Sequence, residues 1–303
     1  MTRRYLPLLL TLAAIWGASF AFIEVALDDL TPTTLVAARV AIAAVCLLGV
    51  LAAMHGIAGA GRALRGAGLG PYALGIVNSA LPFTLIAWGQ EHVDSGTAAI
   101  ANASTPIWVA LLAIWFWQGE RATGARLVGI LLGLAGVGVL TGAQPNASWS
   151  TLVGTLAVVA ASFSYAISLL IAQHRMWGVG PLLLSTTTMI GATVVLLPFA
   201  LLQLPDAAPG MEAVAAVLAL AIAGTAVALL LYFRLMVGYG SARAALVTYV
   251  VPVTALAYGA LFLDEPITIA KLAGMGLVLA GVGLGSAMVR LPRREPAVAA
   301  PRA

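Results

Sequence analysis

The chain has 303 residues, 62% of them hydrophobic and only 9% charged, with a formal net charge of +4 and a mean hydropathy of +1.04. A soluble domain carries roughly 25% charged residues, so a water-covered globule is excluded. The pI of 9.6 does not point to nucleic acid either, because the charges sit at loop ends rather than in one patch.

A membrane-spanning helix needs about 20 apolar residues. Ten stretches of that kind follow one another at 5–27, 32–54, 69–91, 94–117, 122–141, 152–173, 180–202, 213–236, 241–263 and 267–289. Period-two alternation of a membrane barrel is absent, and helices satisfy their own backbone in lipid. The expected class is therefore an all-α polytopic membrane protein with ten transmembrane helices.

The first stretch, MTRRYLPLLLTLAAIW, opens like a secretory signal, but its apolar run continues to Leu27 and predicts a retained helix. It places Trp16, Gly17, Phe20 and Glu24 on one face. The second span carries Arg39 about two turns in, and Cys46, which as the single cysteine excludes a disulfide or a Cys-based zinc framework. In the third, Asn78, Ser79, Pro82, Phe83, Ile86 and Gln90 share one arc at 100° per residue. Proline removes an amide donor and crowds the carbonyl four residues earlier. Pro82 is thus expected to loosen the carbonyl of Asn78, Pro106 in the fourth span that of Asn102, and Pro252 in the ninth that of Thr248. Each pairs a freed carbonyl with a polar side chain near mid-span, where a cavity or a neighbouring helix must satisfy both. The sixth to eighth spans add Ser164, Tyr165, Thr187, Thr188 and Tyr232. The candidate substrate-binding set is Trp16, Phe20, Asn78, Phe83, Gln90, Asn102, Tyr165, Tyr232 and Thr248. Aromatic faces with a few amides suit amphipathic organic molecules better than bare ions. Glu24 and Arg39 are ionisable groups inside spans, so each should face protein or water. They read either as a mutual ion pair fixing the first two helices or as a proton-linked or substrate-binding carboxylate beside a separate cation.

With the N-terminus placed in the cytoplasm, thirteen of the fifteen Lys and Arg fall on the cytoplasmic side. Only Lys271 falls outside, and Arg39 lies within a span. Asp28, Asp29, Glu91, Asp94, Asp206, Glu212, Asp264 and Glu265 gather on the external side. Basic residues held inside set orientation, so both termini are expected in the cytoplasm.

The chain also repeats itself. Residues 127–140 (LVGILLGLAGVGVL) and 272–285 (LAGMGLVLAGVGLG) share eight of fourteen residues without a gap. Ser95 and Pro106 match Ser241 and Pro252, Glu120 matches Glu265, and Ala18-Ser19-Phe20 finds a counterpart in Ala161-Ser162-Phe163. Two five-helix repeats, 1–145 and 146–290, with a basic cytoplasmic tail at 291–303 expected to be disordered, account for this. Five is odd, so the second repeat enters the bilayer inverted, an arrangement of secondary transporters with a substrate site near the midplane. The glycines of the echo, Gly129, Gly133, Gly281 and Gly285, are expected to serve close helix packing.

Trp16-Gly17, Arg39, the paired blocks Pro106–Glu120 and Pro252–Glu265 and the Gly-rich fifth and tenth spans resemble the drug/metabolite transporter superfamily, specifically its EamA-type ten-helix exporters. The resemblance implies export of small organic metabolites, such as amino acids, related compounds or drugs, across the cell membrane. It implies no cofactor or metal, no nucleic acid, a small-molecule substrate with lipid as the surroundings, and leaves proton coupling and the choice between monomer and homodimer open. The sixth span lacks the Trp-Gly and the seventh lacks an equivalent of Arg39. No GxxxxGK[ST] phosphate loop occurs, so nucleotide hydrolysis in cis is not expected. The rival reading is a membrane-embedded enzyme acting on a lipid-linked substrate. Its one hook is Asp28-Asp29, unsupported by a second acidic cluster, while His55, His92 and His174 are scattered.

Overall fold

The computed structural model describes residues 5–116, 124–142, 148–176, 178–205, 207–239 and 244–286. Glu120, Ser241, the basic residues Arg3, Arg4, Arg121 and Arg243, Asp206 and the tail lie outside the described residues. Within them every regular element is helical.

Helix α1 (Tyr5–Leu27) stops where Asp28-Asp29 interrupts the apolar run. Thr31 then caps α2 (Pro32–Gly66) by accepting from the Thr34 amide, and Pro32 at the first position has no amide to orphan. Hydropathy predicts an end to the second span at 54. The helix instead turns at Gly56, whose φ of +70° suits glycine and little else, and runs on as a short arm to Gly66. The third span is continuous but not uniform. It comprises α3 (Leu69–Gly75), a π-helical segment (Ile76–Ala80) and α4 (Leu81–Gln90). Pro82 stands just past that wide turn, as a residue without an amide allows.

The fourth span is broken. It divides into α5 (Ser95–Asn102) and α6 (Thr105–Phe116), with Ala103 and Ser104 between them and Pro106 opening the second piece. Then come α7 (Ala125–Gly142), α8 (Trp149–Arg175, capped by Ser148) and α9 (Pro181–Leu201). The eighth span consists of α10 (Met211–Ala221), a second π segment (Ile222–Val227) and α11 (Ala228–Tyr239). The chain closes with α12 (Val247–Phe262) and α13 (Ile269–Ser286).

Among the described residues six helices are long and apolar enough to cross a membrane: Tyr5–Leu27, Pro32–Gly66, Leu69–Gln90, Trp149–Arg175, Pro181–Leu201 and Met211–Tyr239. Leu127–Leu140, Val247–Phe262 and Ile269–Leu284 are shorter apolar helices. Hydropathy alone predicts ten uninterrupted spans. Pro106 splits one of these apolar runs, and the fifth, ninth and tenth stretches extend beyond the described residues. Val45, Leu131, Val194 and Val237 point outward while Arg39, Gln90 and a set of Ser and Thr are buried. An apolar exterior over a polar-studded interior suits lipid, not water.

The helices pair across the two halves of the chain. α2 packs on α9, α1 on α12, α4 on α8 and α7 on α13. The α7–α13 contact is the glycine echo itself: a Cβ on Gly281 would lie 2.6 Å from the Gly129 carbonyl oxygen and 2.8 Å from Gly133 Cα. The expected packing role of Gly129, Gly133 and Gly281 is thus seen directly, as small residues let two backbones touch. Gly17 of the Trp-Gly pair does the same for α1 and α12, where Thr254 donates to the Ala13 carbonyl at 2.9 Å.

Candidate functional site

The polar interior begins with Arg39. Its side chain comes off the buried face of α2 and is 6% exposed. Nε donates to Thr225 Oγ1 at 2.9 Å, and Cζ lies 4.1 Å above the Phe83 ring of α4. Thr225 sits in the second π segment and donates its own proton to the Leu220 carbonyl five residues back, at 2.9 Å. The wide turn therefore serves to aim a hydroxyl at α2. Phe83 in turn meets Tyr165 of α8 edge-on, with centroids 6.3 Å apart. On the other side Trp16 of α1 and Tyr232 of α11 lie 5.5 Å apart. All four aromatic residues are half-buried, yet pack against the main core.

A second polar group lies two turns further along α4. Gln90 Nε2 donates to the Phe20 carbonyl at 2.9 Å and to Glu24 Oε2 at 3.1 Å, while its Oε1 is buried without a partner among the described residues. Glu24 and Arg39 do not meet. Among the described residues no ion pair joins them; Glu24 is held by Gln90 and Arg39 by Thr225 and Phe83. The reason is positional: each turns to a different helix of the bundle.

The three proline-linked positions have separate fates. The Asn102 carbonyl, released where α5 ends, accepts from Ser162 of α8 at 3.2 Å and from Thr105 at 2.9 Å, and its Oδ1 accepts a longer bond from Ser162 at 3.4 Å. Asn78 in the first π segment accepts from Ser168 of α8 at 2.9 Å and donates to Ser79 at 3.2 Å. Both amides retain hydrogen-bonding capacity and partial exposure. Among the described residues Thr248 bonds within its own turn, to the Ala245 carbonyl at 2.7 Å, and does not join the others. Removing the Ser162 hydroxyl by Ser162→Ala is expected to lower stability by about 1 kcal/mol, the usual net worth of one such bond. The midpoint of thermal unfolding in detergent would register it.

One further cluster joins residues that no motif connects. Lys271, by sequence a lone external cation, is completely buried. Its Nζ lies 2.7 Å from Asp94 Oδ2 and 3.8 Å from Glu265 Oε2, and donates to the Pro266 carbonyl at 2.9 Å. Glu265 in turn accepts from the amides of Ser95 and Gly96 at 2.8 and 3.1 Å, so its carboxylate sits on the open N-terminus of α5. The sequence does carry a signal for it: Lys271 is the single basic residue in a row of external acids. Thr225, Ser162 and Ser168, lone hydroxyls in apolar runs, carry no such signal.

Contacts join the candidate residues in three groups: Arg39 with Phe83 and Tyr165, Trp16 with Tyr232, and Gln90 with Glu24 and the Phe20 carbonyl, contributed by α1, α2, α4, α8 and α11. The Arg39 group sets a guanidinium beside aromatic faces, a pairing that suits an amphipathic organic molecule. Among the described residues no group of three or more His, Cys, Asp or Glu could hold a metal ion. An apolar crevice of about 170 Å³ lies on another face of α1, lined by Ala14, Ile15, Ala18, Phe22, Ala223, Gly224 and Tyr258, and presents no charged side chain.

A sequence profile described as the EamA-like transporter family matches residues 3–142 and again residues 152–286. A "Probable terminal-alkyne amino-acid exporter" of Streptantibioticus cattleyicolor is 30% identical over 92% of this chain and 92% of its own. A "Probable amino-acid metabolite efflux pump" of Escherichia coli is 26% identical over 93% of this chain and 94% of its own. A crystal structure at 18% identity shares the fold with a TM-score of 0.66, covering 93% of this chain and 96% of that one.

Proposed function

The chain belongs to the EamA-like transporter family, and we propose that it is a secondary exporter of small organic metabolites working by alternating access. The observation that carries this reading is that one family profile matches each half of the chain in turn. Relatives with the printed names amino-acid exporter and amino-acid metabolite efflux pump support amino acids or related compounds as cargo. Nothing supports the membrane-embedded enzyme, whose Asp29 instead accepts a hydrogen bond from the Gly210 amide and ties two loops together.

The two halves, 1–145 and 146–290, act as inverted repeats around a shared site. The two π segments support this, beginning at Ile76 and Ile222, 146 positions apart, near the offset of the sequence echo. So does the packing. α2 meets its own counterpart α9, and α7 meets α13, while α1 against α12 is answered by α8 against α5 and α6. An exchange of halves leaves this pattern unchanged. Asp94, Glu265 and Lys271 meet at one end of the bundle, and Asp29 with Gly210 joins two further loops of the acidic set, in keeping with an external face and cytoplasmic termini.

Purified protein screened by thermal shift against amino acids and related metabolites, followed by counterflow in vesicles, tests the reading. Asn78→Ala and Asn102→Ala are expected to weaken a hit severalfold, whereas Thr248→Ala, whose hydroxyl bonds within its own turn, is expected to leave it unchanged; unaltered affinity in both asparagine variants would remove them from the site. Tags on the two termini that report from opposite faces of the bilayer would break the inverted pairing. Glu24→Gln is expected to change the pH dependence of transport. An identical pH profile in reconstituted vesicles would assign Glu24 to structure alone.

A further inference from the structure

The buried cation at Arg39 lacks the partner that its position requires. A charge away from water is held by an opposite charge or by a full set of hydrogen bonds. Arg39 has neither among the described residues. Of its five N–H donors, the one on Nε is taken by a neutral hydroxyl, and Phe83 offers only its ring face. The acids within reach of the interior are already engaged: Glu24 with Gln90, and Asp94 and Glu265 with Lys271. The two terminal nitrogens, which form the planar fork that matches a carboxylate, are left without a protein partner among the described residues, on a side chain that is 6% exposed.

We propose that Arg39 is the anchor for a carboxylate on the transported solute, so that this chain selects amphipathic organic carboxylates over their neutral or cationic analogues. The inference rests on the transporter reading and deepens it. The fixed elements suit the role. Thr225 and Phe83 hold the guanidinium from one edge and one face, which leaves the opposite edge as the docking edge. Tyr165, packed on Phe83, supplies the apolar surface beside it. A carboxylate arriving there completes the missing ion pair, and a solute with an amide in its place leaves the charge uncompensated.

The test uses the full chain in proteoliposomes, with L-leucine and L-phenylalanine set against their primary amides and against the corresponding amines. The acids are expected to bind at least tenfold more tightly than the amides. Arg39→Lys, which keeps the charge and loses the fork, is expected to weaken the acids about tenfold. Arg39→Gln is expected to erase the difference between acid and amide. Equal binding of acid and amide to the wild-type protein, binding of neither acid, or an Arg39→Gln protein that keeps the preference overturns the proposal. The wild-type comparison needs no variant and so stands even if Arg39→Gln fails to fold. The transporter reading fails separately, only if no solute of the panel, charged or neutral, crosses the vesicle membrane.

Discussion

Gly281→Leu is expected to prise α13 from α7 and to leave little folded protein. A Cβ at this position meets three backbone atoms of α7, 2.5 Å from the Gly133 nitrogen, 2.6 Å from the Gly129 oxygen and 2.8 Å from Gly133 Cα. Backbone cannot rotate out of the way as a long side chain can, so the helices must separate. Overpacking a core costs roughly 1–3 kcal/mol where side chains can adjust, and the cost here should be at or above the top of that range. Separation also opens the small core formed by Ile100, Ile107, Ile130, Leu140, Val278 and Val282, which joins α5 and α6 to this pair. Helices in lipid gain little from hydrophobic burial against each other and depend on close packing, so the lost contact is not replaced. Gly276→Leu is the control. It lies on the same helix, a Cβ added there would have nothing within 4 Å, and the variant should fold as the parent does. Size-exclusion profiles and unfolding midpoints in detergent check both; equal behaviour of the two variants would show that the contact does not limit stability.

Lys271→Met is expected to cost about 3–5 kcal/mol, the usual result of removing one member of a buried pair. The loss is larger than that of a surface ion pair because Lys271 is fully buried and the Glu265 side chain is only 8% exposed. Without the ammonium, Glu265 keeps the Ser95 and Gly96 amides but has no cation beside it, and Asp94 loses its contact at 2.7 Å. The double change Lys271→Met with Glu265→Gln should recover part of the loss, because it removes the stranded charge while leaving an acceptor over the α5 N-terminus. A midpoint unchanged in Lys271→Met, or a double variant no better than the single, would mean that the cluster contributes nothing to stability. Any consequence for transport follows from the same link, which ties the broken fourth span to the loop between α12 and α13.

Much of the candidate site can be read along the chain, but not how it is assembled. Residue type and helical arc mark Trp16, Phe20, Phe83, Gln90, Tyr165 and Tyr232; of these the structure pairs Trp16 with Tyr232, Phe83 with Tyr165, and Gln90 with the Phe20 carbonyl. The proline argument marks Thr248 as it marks Asn102, yet Thr248 bonds within its own turn. The proline rule describes one helix and says nothing about which neighbour arrives. The charge distribution sets Lys271 on the external side as a lone cation, because it registers the chain's own charges and not the acids that fold over them.

Local features therefore settled the class of protein. A chain this apolar, cut by short polar loops, is helical in lipid, and the echo at residues 127–140 and 272–285 marked two helices suited to close packing, since small residues four apart share a face that lets another backbone approach. The tertiary structure alone decided which charges have partners. Glu24 and Arg39 stand 15 positions apart in the sequence and resemble a pair there, yet one turns to α4 and the other to the π segment of a distant helix. Charge pairing depends on ångström distances between segments brought together by packing, and no periodicity along the chain encodes those distances.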